Sequence, residues 1–157
     1  VLLANLAVGV KLPKQVKPTH RTWTPEQLRE FVTSVQAERL SALFVVLAFT
    51  GARRGEVLAL RWSDVDVDGR AVRIERSATR GDDGYGEGPP KNGERRSVTV
   101  EAAVVAALRA WRKVQAAERL AWGPAYSPSD LVFTREDGSA LDPDAVTKLF
   151  VRAVFGT

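Results

Sequence analysis

The feature that most constrains the fold of this chain is a long apolar run, LSALFVVLAFT, which is followed directly by GARRGE. A helix over residues 39–50 would be apolar nearly all round, so most of its surface has to be buried. Gly51 suits the end of this helix, and a shorter helix is predicted over residues 54–60. The chain must therefore build its core around the apolar helix. Arg53 and Arg54 follow at the point where that helix ends.

A clear helix start precedes this run. Thr24 can cap the helix, Pro25 suits its first position, and Gln27 stands three residues after Thr24, as in a capping box. Four apolar residues then recur at helical spacing and predict one buried face: Leu28, Phe31, Val32 and Val35. The sequence therefore predicts an amphipathic helix packed beside the apolar one.

The periodicity changes after Trp62. The segment VDVDGRAVRI alternates about Asp68-Gly69, which predicts two strands joined by a type I′ turn. ERRSVTV alternates in the same way and predicts a third strand. Between them lies TRGDDGYGEGPPKNG, whose Gly, Pro and Asp content predicts a long, mobile loop with no packing of its own.

The last third of the chain is predicted to be mainly helical. EAAVVAALRAWRKVQAAERLAW predicts a long helix that ends at Gly123-Pro124, and LVF predicts a short buried segment. A final helix follows, with Asp142 as cap and Pro143 in the first turn. The predicted class is α+β, mostly helical with a small three-stranded antiparallel sheet.

The domain organisation is predicted from the first residues. Residues 1–22 contain two prolines and scattered lysines, so they are interpreted as a linker or tail from a preceding domain, although a frayed end has the same composition. Residues 23–157 are predicted to form one domain.

Composition excludes several classes of site. The 157-residue chain has no cysteine and one histidine, His20, so it offers no disulfide framework, no thiol nucleophile and no multi-histidine metal site. No apolar run reaches the length of a membrane span, and a cytoplasmic location is expected.

Positive charge is concentrated in the first part of the chain. Residues 1–62 contain nine Lys or Arg and four Asp or Glu, whereas the numbers in the remainder are nearly equal. This local excess favours an anionic partner, nucleic acid first, although solvated lysines in a linker would give the same count.

The arginine pair suggests a chemistry. A guanidinium just after a helix terminus can bind a phosphate through two parallel hydrogen bonds, and Glu56, one turn on, could orient it. An ordinary turn between helices with two surface arginines would have the same sequence, so the residues alone leave both readings open.

A longer series of motifs narrows the choice. LAFTGARRGEVLALRWSDVD, a strand pair and PPKNGERRSVTV closely resemble the first half of the catalytic domain of tyrosine recombinases, the phage integrase family. That family has a buried helix, T-G-x-R-x-x-E, L-x-W-x-D, and a hairpin that ends in a lysine before a basic strand. The resemblance covers about residues 24–155. The matching residues are Thr50, Gly51, Arg53, Glu56, Leu60, Trp62, Asp64, Lys91, Arg95, Arg96 and Val98.

The resemblance implies roles for these residues. Arg53 would be the first catalytic arginine and would bind the non-bridging oxygens of the scissile phosphate. Lys91 would protonate the departing 5′ oxygen, and Glu56 would support the arginine turn. Double-stranded DNA would be the partner, with no metal or other cofactor. Further basic residues are predicted to contact DNA: Arg54, Arg95, Arg96 and Lys148. Arg54 could equally be a surface residue without a role in DNA binding.

The chain departs from the family pattern at its carboxyl end. It contains no H-x-x-R box and no tyrosine where the family has its nucleophile; Tyr85 and Tyr126 are predicted to be loop residues. The leading hypothesis is therefore a partial catalytic domain of a recombinase that assembles as a tetramer on DNA, inactive by itself. The alternatives are a non-catalytic DNA-binding module of the same fold and, more weakly, a helical interaction domain with a chance T-G-x-R.

Overall fold

The structure, a computed structural model, describes residues 22–81 and 84–155. Within these ranges the protein has five α-helices and two small antiparallel sheets, so the predicted α+β class is confirmed. The helices are α1 (Pro25–Ser34), α2 (Ser41–Thr50), α3 (Arg54–Leu58), α4 (Ala102–Trp122) and α5 (Pro143–Phe155). The strands are β1 (Val65–Asp66), β2 (Ala71–Ile74), β3 (Ser77–Gly81), β4 (Gly84–Gly88) and β5 (Arg96–Thr99). The predicted tail, apart from its last residue, and His20 lie outside the described residues.

The helix starts follow the local sequence. At α1 the predicted capping box is confirmed: the Gln27 amide donates to Thr24 Oγ1 (3.3 Å) and the Thr24 amide donates to Gln27 Oε1 (2.9 Å). Pro143 begins α5, where the Asp144 amide donates to Asp142 Oδ1 (2.7 Å). None of the described helices is long and apolar enough to span a lipid bilayer.

The core forms around α2, as its apolar run requires. Leu43, Phe44 and Val46 of this helix are buried, and it packs against α4, in which Leu108 and Trp111 are buried. The predicted short segment LVF is also buried, since Val132 and Phe133 have no exposed surface. Phe31 of α1 and Val146 of α5 belong to the same cluster, so the core joins the first and last described helices.

The three-stranded sheet has the order β1-β2-β5 and is antiparallel, as predicted. The predicted two-residue type I′ turn is wrong, because Asp66 pairs with Ala71 and four residues connect the strands. Arg70 has the positive φ of this loop (50°). Gly69 instead lies against Asp66: its amide donates to Asp66 Oδ1 (2.8 Å), and an added Cβ would displace this carboxylate.

The prediction of a mobile loop is wrong for most of the segment TRGDDGYGEGPPKNG, because β3 and β4 form a hairpin there. Its glycines do not prevent pairing, since the ladder is made by backbone groups. Ala78 of this hairpin is buried in the core, and Tyr85 packs against the core. At Gly55 of α3, a Cβ would lie 2.6 Å from the Ala78 carbonyl oxygen, so the absence of a side chain allows the hairpin to pack closely against this helix.

Two helices are shorter than predicted. α2 begins at Ser41 rather than at residue 39, a difference within the usual uncertainty of helix ends. α3 ends at Leu58 rather than at residue 60 because the chain turns to pair with a second segment. Leu60 accepts a hydrogen bond from the Val132 amide (2.8 Å), which fixes the chain beyond α3 against the buried LVF segment.

Candidate active site

The turn that carries Arg53 is built by the end of α2. Gly51 adopts a left-handed conformation (φ 61°, ψ 16°), and the Ala52 amide donates to Thr50 Oγ1 (3.2 Å). Arg53 then has an extended backbone (φ −69°, ψ 150°) directly before α3. The turn therefore directs this side chain outward, and 55% of it is exposed although the neighbouring Ala52 is buried.

Glu56 holds Arg53 at two points. Glu56 Oε2 accepts a hydrogen bond from the Arg53 amide (2.9 Å), and Glu56 Oε1 accepts one from Arg53 Nη1 (3.0 Å). The carboxylate itself has no exposed surface. The half-exposed guanidinium is thus attached to a fixed, buried anion.

Arg96 is the second partner of this carboxylate. From the start of β5, Arg96 Nη2 donates to Glu56 Oε2 (2.6 Å) and Nη1 donates to Oε1 (3.2 Å). The hydrogen bonds from Arg96 lower the pKa of Glu56 to about 2, and those from Arg53 act in the same direction against the opposing effect of burial. The same contact raises the pKa of Arg96. Glu56 is therefore an anion at every ordinary pH.

Arg54, the neighbour of Arg53, points to another part of the protein. Its Nη1 donates to the Pro143 carbonyl oxygen (2.9 Å) and to Thr147 Oγ1, and Asp144 Oδ1 lies 3.8 Å away. These contacts join the start of α3 to α5. The two adjacent arginines therefore have different surroundings, although sequence alone did not separate them beyond the family pattern.

Lys91 lies on a short turn between the hairpin and β5. It begins the 3₁₀ turn Lys91–Gly93, in which the Gly93 amide donates to the Pro90 carbonyl oxygen (2.7 Å). Pro90 is buried and Lys91 is exposed. Among the residues that the structure describes, no carboxylate pairs with the Lys91 ammonium group, so it is available to an external anion.

Two further predicted DNA contacts lie at the surface. Arg95 is 72% exposed and its Nε is 3.5 Å from Glu75 Oε2. Lys148 is exposed on α5. Both can reach a large anion without breaking a buried contact, in contrast to Arg96. The structure thus separates residues that the sequence placed in one group.

The two tyrosines have no nucleophilic setting in the described residues. Tyr85 lies in β4, not in a loop as predicted; its hydroxyl donates to Glu87 Oε1 (2.8 Å), and burial together with this carboxylate raises its pKa. Tyr126 follows the 3₁₀ turn Gly123–Ala125 outside any helix or strand, as predicted. In the described ranges, no group of His, Cys, Asp and Glu side chains could hold a metal ion.

Comparison with known proteins identifies the class to which this fold and site belong. The sequence model of the phage integrase family matches residues 21–156, and the chain belongs to this family. A XerC-like tyrosine recombinase of Caldanaerobacter subterraneus is 25% identical over 150 residues, which are 87% of this chain and 38% of the relative. The ICEBs1 integrase of Bacillus subtilis is 26% identical over 118 residues, or 73% of this chain and 32% of the relative.

Solved structures show the same fold. The integrase of the Tn1549 transposon, in complex with a circular intermediate DNA, matches with a TM-score of 0.73 and 19% identity, over 96% of this chain and 48% of the other. The XerA recombinase matches with a TM-score of 0.64 and 19% identity, over 94% of this chain and 47% of the other. The chain thus spans less than half the length of these relatives.

Proposed function

We propose that this chain carries the arginine–lysine half of the active site of a site-specific recombinase, which breaks and rejoins DNA through a 3′-phosphotyrosine. The observation that carries the proposal is the half-exposed guanidinium of Arg53, fixed on the buried carboxylate of Glu56. A donor fixed before substrate arrives stabilises developing negative charge without reorganising during the reaction. Membership of the phage integrase family supports the same assignment.

Each residue has a defined part in the proposed reaction. A tyrosine hydroxyl, supplied from outside the described residues, releases its proton to water as its oxygen forms a bond to the scissile phosphorus and the bond to the 5′ oxygen breaks. Arg53 binds the non-bridging oxygens, and Lys91 gives its proton to the departing 5′ oxygen. Attack by a 5′ hydroxyl of a partner strand reverses these steps, so one phosphodiester replaces another with no net oxidation or hydrolysis.

Double-stranded DNA is the proposed partner, bound mainly through phosphates. Arg95 and Lys148 supply exposed positive charge, and the matched Tn1549 integrase is a DNA complex. The predicted contacts of Arg54 and Arg96 with DNA stay predictions, and both guanidinia have partners inside the chain. The predicted tetramer on DNA is likewise part of the proposal and follows from the family.

Binding of a short duplex to this chain tests the partner. We expect weak binding whose affinity falls steeply with salt, because neutralised phosphates release counterions. Arg53→Ala should flatten the log–log slope by about one, as expected for the loss of one phosphate contact. Arg29→Ala on α1, whose side chain is 75% exposed, is the control and should leave the slope unchanged. Affinity independent of salt would overturn the proposal.

Strand cleavage tests the assigned chemistry. With a nicked duplex, this chain should form no adduct that survives detergent, because Tyr85 is bound to Glu87 and Tyr126 lies outside the site. In a protein of the relatives' length that contains this chain, Arg53→Ala should reduce cleavage by about 10²–10³-fold or more, while duplex binding changes little. Arg54→Ala should reduce cleavage less. The reverse order would show that the arginines are assigned the wrong way round.

A further inference from the structure

The carboxylate of Glu56 receives four hydrogen bonds. Two come from Arg53, through its amide and Nη1, and two come from the guanidinium of Arg96. Arg53 thereby uses one guanidinium nitrogen on this anion, whereas Arg96 uses two. In the contacts of the described residues, Nε and Nη2 of Arg53 remain available to an external acceptor.

The exposure of these arginines follows the same division. The side chain of Arg96 is 35% exposed, against 55% for Arg53 and 72% for Arg95. If Arg96 turned toward a phosphate, it would leave a buried carboxylate with half of its donors, and an uncompensated buried charge is strongly unfavourable. A direct phosphate contact by Arg96 therefore conflicts with its place in the fold.

We propose that Arg96 is a positioning residue that acts through Glu56 to keep the Arg53 guanidinium turned toward its phosphate. The proposal rests on the function proposed above for Arg53. Arg96 occupies the side of the carboxylate that Arg53 would otherwise take. Without Arg96, the guanidinium of Arg53 would form two parallel hydrogen bonds with Glu56, the geometry that guanidinium and carboxylate favour. A second guanidinium nitrogen of Arg53 would then bind Glu56 and could not bind the phosphate.

Arg96 also connects the two proposed catalytic groups. It begins β5, and the Lys91 turn lies five residues before it, a chain length that spans at most about 18 Å. The ion pair with Glu56 therefore attaches the strand that follows Lys91 to the helix that follows Arg53. This link joins parts of the protein that are 40 residues apart in sequence.

A double-mutant cycle on strand cleavage, in a protein of the relatives' length that contains this chain, tests the proposal. The variants are Arg96→Lys, which keeps the charge but loses the paired donors, Arg53→Ala, and the combination. We expect Arg96→Lys to slow cleavage by about tenfold when Arg53 is present and to have no further effect when Arg53 is alanine. Equal effects in both backgrounds would mean that Arg96 contacts phosphate directly, and no effect in either would also overturn the proposal.

A second measurement does not depend on DNA. In NMR spectra of the free chain, Arg96→Lys should shift the Arg53 Nε–H signal and raise the pKa of the Glu56 carboxyl. Arg76→Lys is the control, because Arg76 Nη1 also pairs with a buried carboxylate, Asp64 Oδ2 (2.7 Å), outside this site, and it should leave both signals unchanged. If wild-type chain fails to bind DNA, the proposed function fails, and these spectra still decide whether Arg96 positions Arg53. An unchanged Arg53 signal in Arg96→Lys would refute that role.

Discussion

Glu56 carries its negative charge inside the protein, where a lone carboxylate would be strongly disfavoured. The hydrogen bonds from Arg96 and Arg53 lower its pKa to about 2, against an ordinary value of 4.5. Because the folded state has the lower pKa, this group stabilises the fold fully at pH values above 4.5. The contribution is lost as the pH falls through 4.5 toward 2.

Glu56→Gln is therefore expected to destabilise the protein at pH 7 and to cost progressively less at acid pH. The shift corresponds to a pH-dependent part of about 3 kcal/mol, which should disappear from the difference between variant and wild type near pH 2. Urea denaturation between pH 7 and pH 2 measures it. Glu26→Gln, at a carboxylate that is 68% exposed, is the control and should change stability by less than about 0.5 kcal/mol. A constant difference at all pH values would contradict the assignment.

The sequence predicted part of this residue pattern. Spacing alone placed Glu56 one turn after Arg53, within reach of it, and the family resemblance gave both a role. The sequence could not show that Arg96 is the second partner of the Glu56 carboxylate. These two residues are 40 positions apart and meet only after β5 pairs with β2. The basic pair Arg95-Arg96 looked uniform in sequence, whereas the strand turns one toward Glu75 and the other toward Glu56.

The contact between α3 and β3 fixes the hairpin next to the site. Gly55, in the short helix between Arg53 and Glu56, faces β3 so closely that an added Cβ would lie 2.6 Å from both the Ala78 carbonyl oxygen and Ser77 Oγ. A glycine inside a helix normally lowers helix stability by about 1 kcal/mol relative to alanine. Here the absence of the methyl group lets two elements approach.

Gly55→Ala should accordingly destabilise the protein, by about 1–3 kcal/mol, although helix propensity alone would predict a gain. The matched control is Gly88→Ala in the partner strand β4, where an added Cβ would meet no atom within 4 Å. Urea midpoints of both variants and amide exchange of β3 measure the effect. If Gly55→Ala is stabilising, the packing of the hairpin on α3 is looser than described.

The same hairpin shows where sequence analysis fails at the level of elements. The helices were predicted well because capping residues and apolar spacing are local signals, as at Thr24 and Gln27. The strands β3 and β4 consist largely of small or polar residues, so they lack the alternation by which β2 was recognised. Their stability comes from backbone pairing and from packing on α3, and no local sequence pattern predicts either interaction.

Across the whole molecule, Gln115 joins segments that are distant in sequence. Its Oε1 accepts from Trp62 Nε1 (2.8 Å), and its Nε2 donates to the Leu131 carbonyl oxygen (3.1 Å) and to Thr134 Oγ1 (3.0 Å). The side chain is buried in α4. One amide thus satisfies polar groups of two neighbouring segments, at Trp62 and at residues 131–134.

Gln115→Leu should cost about 2–4 kcal/mol, because the indole N–H and the buried hydroxyl and carbonyl groups would lose their partner. Lys113→Leu introduces the same side chain at an exposed site of α4 and serves as control, with an expected change below about 0.5 kcal/mol. Thermal unfolding followed by circular dichroism measures both. Equal effects would show that the amide of Gln115 has no special role.

The link between Glu56 and Arg96 has a consequence for the newly made chain. A ribosome releases Arg53 and Glu56 well before Arg96, and a five-residue helix such as α3 does not hold its shape alone. Until β5 emerges and pairs, Glu56 has only Arg53 as its cation. If Arg96 positions Arg53 as proposed, a nascent or prematurely ended polypeptide contains Arg53 without this contact, and the proposed phosphate site forms only once β5 has paired.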